Sequence, residues 1–306
     1  MFGVRLHGKS VAYAATILGA GFINPVFNFY YVKLYLNRFH VSEPWFQFAQ
    51  VVFMIWNAVN DPLFACLQDN ARSWPVFRSR RHSILYGAPL FVISFLVIWF
   101  PWSDYESSLS ASWIAGIQLT VALCFYDAMF TFVLLAECAL LAELSTNQAD
   151  RVRLIQYSQV ADLLGSASVL ICEATSSGIE HYARFQVTCV GLGLAAGVCF
   201  VYTGLKAETQ FDRMTEFPSA DSFKVSSEDK SLTVYDQIWM VLRQSRQIFA
   251  QRSFVSFVLM NFCQIYHKTF LGNFANIIGD HLLGTGLSSA AKSLLYGSLY
   301  IIPQVQ

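Results

Sequence analysis

Apolar runs of about 20 residues recur along the chain, and they constrain its fold more than any other feature. A helix needs about 20 apolar residues to cross a hydrocarbon core roughly 30 Å thick. Only helices and closed barrels satisfy their backbone hydrogen bonds in lipid, and these runs lack the alternating polarity of barrel strands. The sequence therefore predicts an all-α, polytopic membrane protein. The predicted helices centre on residues 11–35, 45–67, 84–100, 113–142, 157–172, 185–205 and 254–278, with a weaker eighth helix at about 287–302.

The charge balance and the absence of certain motifs narrow the range of possible functions. Only 13% of the 306 residues are charged, and 20 basic residues balance 20 acidic ones, so we expect no nucleic-acid partner. The sequence has no P-loop, no glycine-rich dinucleotide turn, no metal-spaced His or Cys cluster and no nucleophile elbow. We therefore expect neither an enzyme nor a bound cofactor.

A polar segment of residues 206–251 divides the chain. It predicts a six-helix transmembrane bundle over residues 1–205, a cytoplasmic linker over 206–251 and the start of a second bundle over 252–306. The second part of the linker has the spacing of a helix lying on the membrane surface, and a solvated linker is the alternative. Basic residues place one end of the bundle in the cytoplasm: Arg5, Lys9, Arg72, Arg78, Arg80, Arg81, Arg151 and Arg153.

A polar motif interrupts the second apolar run, and it reads Trp56-Asn57-Ala58-Val59-Asn60-Asp61-Pro62. Positions 57 and 61 lie one turn apart on one helix face, where two oxygen ligands could meet a small cation. An intramembrane carboxylate is costly enough to indicate function, although a purely structural acid is the alternative. The candidate cation-binding residues are Asn57, Asn60 and Asp61, and the candidate ions are Na⁺ and H⁺.

This motif and the basic segment 78–81 resemble the glycoside-pentoside-hexuronide cation symporter family, whose members carry a similar Trp-Asp-Ala-x-x-Asp-Pro run. A second stretch, residues 139–145 followed by Asp150-Arg151, is similar to that family's signature at the cytoplasmic end of helix four. The resemblance implies a major-facilitator-type bundle, in which two six-helix halves enclose a solute site at the midplane. The chain would then hold about seven to eight of twelve helices, with an incomplete second half.

Four positions depart from the family's sugar site. The carboxylates of helices one and four fall on Gly21 and Leu134, the aromatic that stacks on the sugar falls on Cys138, and the helix-five arginine falls on Gln159. A sugar held by charge-assisted hydrogen bonds would find almost none of its partners. The resemblance therefore supports the fold and argues against a sugar as the solute.

Further polar residues inside the apolar runs are candidates for a solute or proton site: Asp127, Glu137, Asp162 and His267. Asp127 lies seven residues before Leu134, on nearly the same helix face and about 10 Å away along the axis, so it is a candidate for a relocated ion or proton group. The alternative is a partly hydrated side chain without a role. For Glu137 and Asp162, a pairing with polar groups in the bundle interior is favoured over a functional role.

Two functions stay open. The first is a cation-coupled symporter of an unidentified small organic solute, and the second is a non-transporting receptor, regulator or scaffold that keeps the transporter fold. Either would be a multi-pass protein embedded in the lipid bilayer of the plasma membrane, or alternatively of an intracellular membrane. Because the sequence stops near the end of the eighth apolar run, we expect a truncated product or an alternative-splicing isoform that inserts without transporting.

Overall fold

The computed structural model describes residues 8–70, 74–77, 79–103, 111–145, 147–177, 179–209 and 250–283, together with residues 243 and 291. Every regular element within these ranges is helical. A π-helical turn, Leu34–Arg38, extends the first helix, and a short 3-10 helix, Pro75–Phe77, follows the second. The α-helices are α1 (Gly8–Lys33), α2 (Glu43–Asn70), α3 (Arg80–Trp99), α4 (Ala111–Leu144), α5 (Gln148–Ser166), α6 (Ser168–Ser176), α7 (Tyr182–Lys206) and α8 (Arg252–Leu283).

Six segments of the described chain are long and apolar enough to cross a membrane, which confirms the all-α, polytopic fold. They are Gly8–Arg38, Glu43–Asp69, Arg80–Trp99, Ser112–Leu144, Gln148–Ser176 and Tyr182–Lys206. The seventh predicted span is a helix, α8, but it is not among the six because polar residues such as Asn261 and His267 lower its hydropathy. The predicted eighth helix and almost all of the linker lie outside the described residues, and the three domain boundaries stay predictions.

The fifth span is interrupted, which the sequence pattern did not predict. It consists of α5 and α6, and a turn at Ala167 separates them. The hydroxyl of Ser166 donates to the carbonyl of Asp162 at 2.9 Å, and that of Ser168 donates to the carbonyl of Gly21 at 3.3 Å. The break is hidden in the sequence because it falls within a run of small residues that contains no proline.

The bundle has two central helices. α1 packs against α5, α6 and α7, while α4 packs against α2 and α3, and α3 also contacts α7. Aromatic side chains fill the space between these groups, as in the edge-to-face pair of Trp99 and Phe185, whose ring centroids are 5.1 Å apart. α2 packs mainly against α4, so the side chains that join these two helices decide where α2 sits.

A glycine on each helix allows α1 and α5 to cross with their backbones in contact. A Cβ atom built on Gly165 would lie 2.6 Å from the Cα of Gly21, and one built on Gly21 would lie 2.9 Å from the Cα of Gly165. Real Cβ atoms do not approach backbone so closely, so each residue must be glycine for this crossing to form. Gly21 is therefore a packing residue, and a carboxylate has no room at this position.

Replacing Gly165 by Ala should separate α1 from α5. Overpacking of this kind costs about 1 to 3 kcal/mol, so we expect a lower melting temperature in detergent. The matched control is Gly191→Ala on α7, where an added Cβ would meet nothing within 4 Å. We expect this control to be neutral or stabilising, because alanine favours a helix over glycine by about 1 kcal/mol. Equal melting temperatures for the two variants would contradict the crossing.

Candidate functional site

The polar motif of α2 faces α4. Asn60 is fully buried and Asn57 is half-buried, whereas the apolar residues on the other faces of α2 are exposed. Opposite them on α4 lie Asp127 and Thr131, each only 6% exposed. These two residues are one helical turn apart, so α4 presents a carboxylate and a hydroxyl on the face that meets α2.

Asp127 accepts hydrogen bonds from both asparagines of the α2 motif. The Nδ2 of Asn57 donates to its Oδ1 at 3.0 Å, and the Nδ2 of Asn60 donates to its Oδ2. Each carboxylate oxygen therefore has an amide donor from the neighbouring helix. Hydrogen bonds to a charged group contribute about 1.5 to 3 kcal/mol each, so this contact is a strong link between α2 and α4.

Asp61 brings a second carboxylate to the same interface. The hydroxyl of Thr131 donates to its Oδ1 at 3.1 Å, while the rest of the side chain is exposed. Asp61 lies close enough to Asp127 for the two charges to interact. Two carboxylates so placed repel each other when both are ionised, and a cation or a proton between them removes that repulsion.

One acceptor in this group has no partner. The Oδ1 of Asn60 is buried and receives no hydrogen bond, because its amide nitrogen is turned toward Asp127. A buried carbonyl oxygen that is left unsatisfied costs about 1 to 3 kcal/mol. It is also the kind of hard oxygen ligand that a small cation takes in proteins.

The structure joins residues that the sequence treated as two sites. Asn57, Asn60 and Asp61 were expected to bind the cation, and Asp127 was placed with the solute or proton candidates. All four meet at the α2–α4 interface, where Thr131 also takes part, a residue that the sequence analysis missed although it lies four positions after Asp127. Asn57 and Asp61 each bond to α4, and their joint binding of a cation stays a prediction.

A carboxylate on α4 contacts α2, but at a different position from the family's helix-four carboxylate. The family frame placed it at Leu134, which is 39% exposed and apolar, and suggested that the site had lost its acids. Asp127, two turns earlier, supplies the carboxylate to α2 instead. The other sugar-site positions carry no charge either. Gly21 packs against the backbone of Gly165, and Cys138 and Gln159 are exposed, uncharged side chains.

Glu137 and Asp162 form a separate group between α4, α1 and α5. The hydroxyl of Tyr13 donates to the Oε1 of Glu137 at 3.0 Å, and Asp162 lies near enough for its charge to act on Glu137. Glu137 is ten residues from Asp127, about 15 Å along α4, so the two groups are distinct. His267 joins neither group; it is exposed on α8 and makes no hydrogen bond within the described residues.

A third polar group lines the contact of α1 with α4, and the sequence analysis missed it. The Oδ1 of Asn24 accepts a hydrogen bond from Asn28 at 3.1 Å and one from the hydroxyl of Tyr126 at 3.4 Å. The Tyr126 ring stacks on Phe27, with centroids 3.9 Å apart. Both asparagines are half-buried, so their amides are not wholly enclosed by the bundle.

Charged residues join the ends of α2, α3 and α4. Arg80 lies 2.5 Å from Asp69 and 3.7 Å from Glu143, and it donates to the backbone carbonyl of Gln68 at 3.2 Å. Gln68 in turn donates to the carbonyl of Phe132 at 2.7 Å. This cluster closes the end of the α2–α4 interface that the sequence places in the cytoplasm.

Comparison with known proteins gives a family match and two curated relatives. A family model described as MFS/sugar transport protein matches residues 12–271. The chain is similar to transmembrane protein 180 of Gallus gallus, with 28% identity over 97% of the chain, and to transmembrane protein 180 of Mus musculus, with 29% identity over 97%. The chain spans 58% of the length of each of these relatives.

The α2–α4 contact predicts an energetic coupling between Asn60 and Asp127. In a double-mutant cycle with Asn60→Ala and Asp127→Ala, contacting residues couple by about 0.5 to 3 kcal/mol, and we expect a value in that range. The control cycle pairs Asn60→Ala with Glu137→Ala, because Glu137 bonds to α1. We expect that pair to be additive in the same unfolding assay in mixed micelles. A coupling of equal size in both cycles would argue against the contact.

Proposed function

Since the chain belongs to the MFS/sugar transport protein family, we propose that it is a symporter-like membrane protein whose coupling ion, Na⁺ or H⁺, binds between α2 and α4. The binding group consists of Asn57, Asn60, Asp61, Asp127 and Thr131. The role is binding and transport, with no enzymatic step. The site of action that we propose is the plasma membrane.

The unpartnered Oδ1 of Asn60, beside two carboxylates, is the observation that carries the proposal. An interface built only to hold α2 against α4 has no reason to leave a buried acceptor unsatisfied or to bring two acids near each other. A bound cation accounts for both features, because it takes the carbonyl oxygen as a ligand and reduces the repulsion between the acids. A proton shared between Asp61 and Asp127 would remove the repulsion but would leave the Oδ1 of Asn60 without a partner.

Oxygen ligands favour Na⁺ over softer ions. Carboxylate, amide carbonyl and hydroxyl oxygens are the donors that hard cations take. With Asn57 in place of the family's first carboxylate, the site holds two acids, Asp61 and Asp127. A single monovalent cation would therefore leave one net negative charge, which the amide donors of Asn57 and Asn60 stabilise.

We propose that the solute binds beside the polar group at the contact of α1 with α4, which we call the solute cleft. Asn24, Asn28 and Tyr126 offer amide and phenol groups there and no charge. These groups suit a small organic solute that is recognised by neutral hydrogen bonds and by stacking. Tyr126 directly precedes Asp127 on α4, so an ion that shifts Asp127 also acts on the solute cleft, which gives a route for coupling.

A non-transporting receptor, regulator or scaffold is the second candidate. Gly21 is closed by its contact with Gly165, and Leu134 and Gln159 carry no charge, so three charged sugar partners of the family are replaced, as is its stacking aromatic at Cys138. A protein that keeps the bundle for another purpose would tolerate these losses. It would also have no need of an ion site, and the two candidates differ on that point.

Thermal unfolding of the purified 306-residue chain tests the ion site. Replacing K⁺ by Na⁺ at constant ionic strength, or lowering the pH in K⁺, should raise the melting temperature, because a ligand of the folded state stabilises it by mass action. At an ion concentration 100 times the dissociation constant, binding adds about 2.7 kcal/mol to the free energy of unfolding. Asp127→Asn and Asp61→Asn should each abolish the response to the bound ion while leaving membrane insertion intact.

Asp150→Asn is the matched control, since Asp150 lies in the first turn of α5 and outside the α2–α4 group. It should keep the full response to the ion. A wild-type chain that responds neither to Na⁺ nor to pH would refute the ion site and favour the non-transporting candidate. A response that survives in both Asp61→Asn and Asp127→Asn would place the ion elsewhere.

A further inference from the structure

An apolar groove runs between α1 and α5, and none of its lining residues belongs to α2 or α4. Its volume is about 470 Å³, within the range of about 300 to 1,000 Å³ that is usual for small-ligand pockets. Gln156 and Tyr157 are the two polar residues in an otherwise apolar lining. The lining residues are Val11, Ala14, Ala15, Leu18, Gln156, Tyr157, Val160, Ala161 and Leu164.

The glycine crossing explains the position of the groove. It starts at Leu18 and Leu164, within one turn of the contact between Gly21 and Gly165, and reaches toward the first turns of both helices. Alanines on both helices leave the space unfilled. α8 also packs on α1, but none of the lining residues belongs to α8, so the groove is open along its length in the described chain.

Positive charge lies at the end of the groove that the sequence places in the cytoplasm. Arg153 is three and four residues before Gln156 and Tyr157, so it stands on the groove face of α5, one turn beyond the lining. Arg153 and the nearby Arg151 are exposed, and neither makes an ion pair within the described part of the chain. Both lie in the first two turns of α5, where the helix dipole adds to their attraction for an anion.

We propose that this groove binds one acyl chain of an anionic phospholipid, with the lipid phosphate held at Arg153. The lining belongs to two membrane spans, so acyl chains of the bilayer reach it from the side without crossing water. Tyr157 stands between the apolar lining and the arginine, at the depth where tyrosine prefers the membrane interface. Basic pockets between spanning helices on the cytoplasmic side suit anionic headgroups, whereas a neutral solute would have no use for the arginine.

Native mass spectrometry of the purified 306-residue chain tests the proposal, with phosphatidylglycerol and phosphatidylcholine of identical acyl chains as probes. We expect phosphatidylglycerol to be retained in preference to phosphatidylcholine. Arg153→Gln should lower that preference about fivefold, because one basic residue near a membrane surface is worth about 1 kcal/mol. Val160→Trp, at an exposed groove position, should fill the groove and reduce the retention of both lipids.

Matched controls separate the groove from general lipid contact. Arg184→Gln removes another exposed arginine, and Val187→Trp adds bulk at a valine of α7 that is 73% exposed. Both controls should retain lipid as the wild-type chain does. Equal retention of the two lipids by the wild type, or equal losses in the groove variants and the controls, would overturn the proposal. So would a lipid-free dimer that Val160→Trp dissociates, since the occupant would then be a second copy of the chain.

Discussion

The arrangement of α2 depends on one carboxylate, that of Asp127. It accepts hydrogen bonds from the side-chain amides of Asn57 and Asn60. α2 reaches the bundle mainly through α4, and most of its other surface is apolar and exposed. Lipid gives α2 no hydrophobic reason to prefer α4, so polar contacts and close packing must fix the pair. The same contact turns Asn60 so that its carbonyl oxygen is left without a donor, and it thereby links the fold to the proposed ion site.

α4 takes part in three polar groups, two at one level of the helix and one farther along it. Asp127 and Thr131 face α2, Tyr126 faces α1, and Glu137 bonds to Tyr13 of α1 about 15 Å farther along the axis. Ion binding at the first group, as we propose it, would therefore act on a helix that also carries Tyr126 of the proposed solute cleft. In a fold whose two halves rock around a fixed midplane site, a helix shared by ion and solute couples their binding.

The six spans and the residues of the α2 motif were predictable, because long apolar runs and a polar motif inside one of them are local signals. Thr131 and the cleft residues Asn24 and Tyr126 were not predictable, since single polar residues acquire meaning only when helices distant in sequence meet. The interruption at Ala167 and the role of Gly21 also depend on a tertiary contact. The family frame over α4 pointed to Leu134, and only the packing of α2 on α4 shows that the acid in contact with α2 is Asp127.

Infrared difference spectroscopy of the carboxyl groups tests the central claim most directly, because it detects an ion at a carboxylate whether that ion is Na⁺ or a proton. Exchange of K⁺ for Na⁺, or a step to lower pH, should change the bands of wild-type carboxyl groups. The account predicts that a defined part of this change disappears in Asp127→Asn and in Asp61→Asn and persists in Glu137→Gln. Difference spectra that are the same in the wild type and in both aspartate variants would contradict an ion site between α2 and α4.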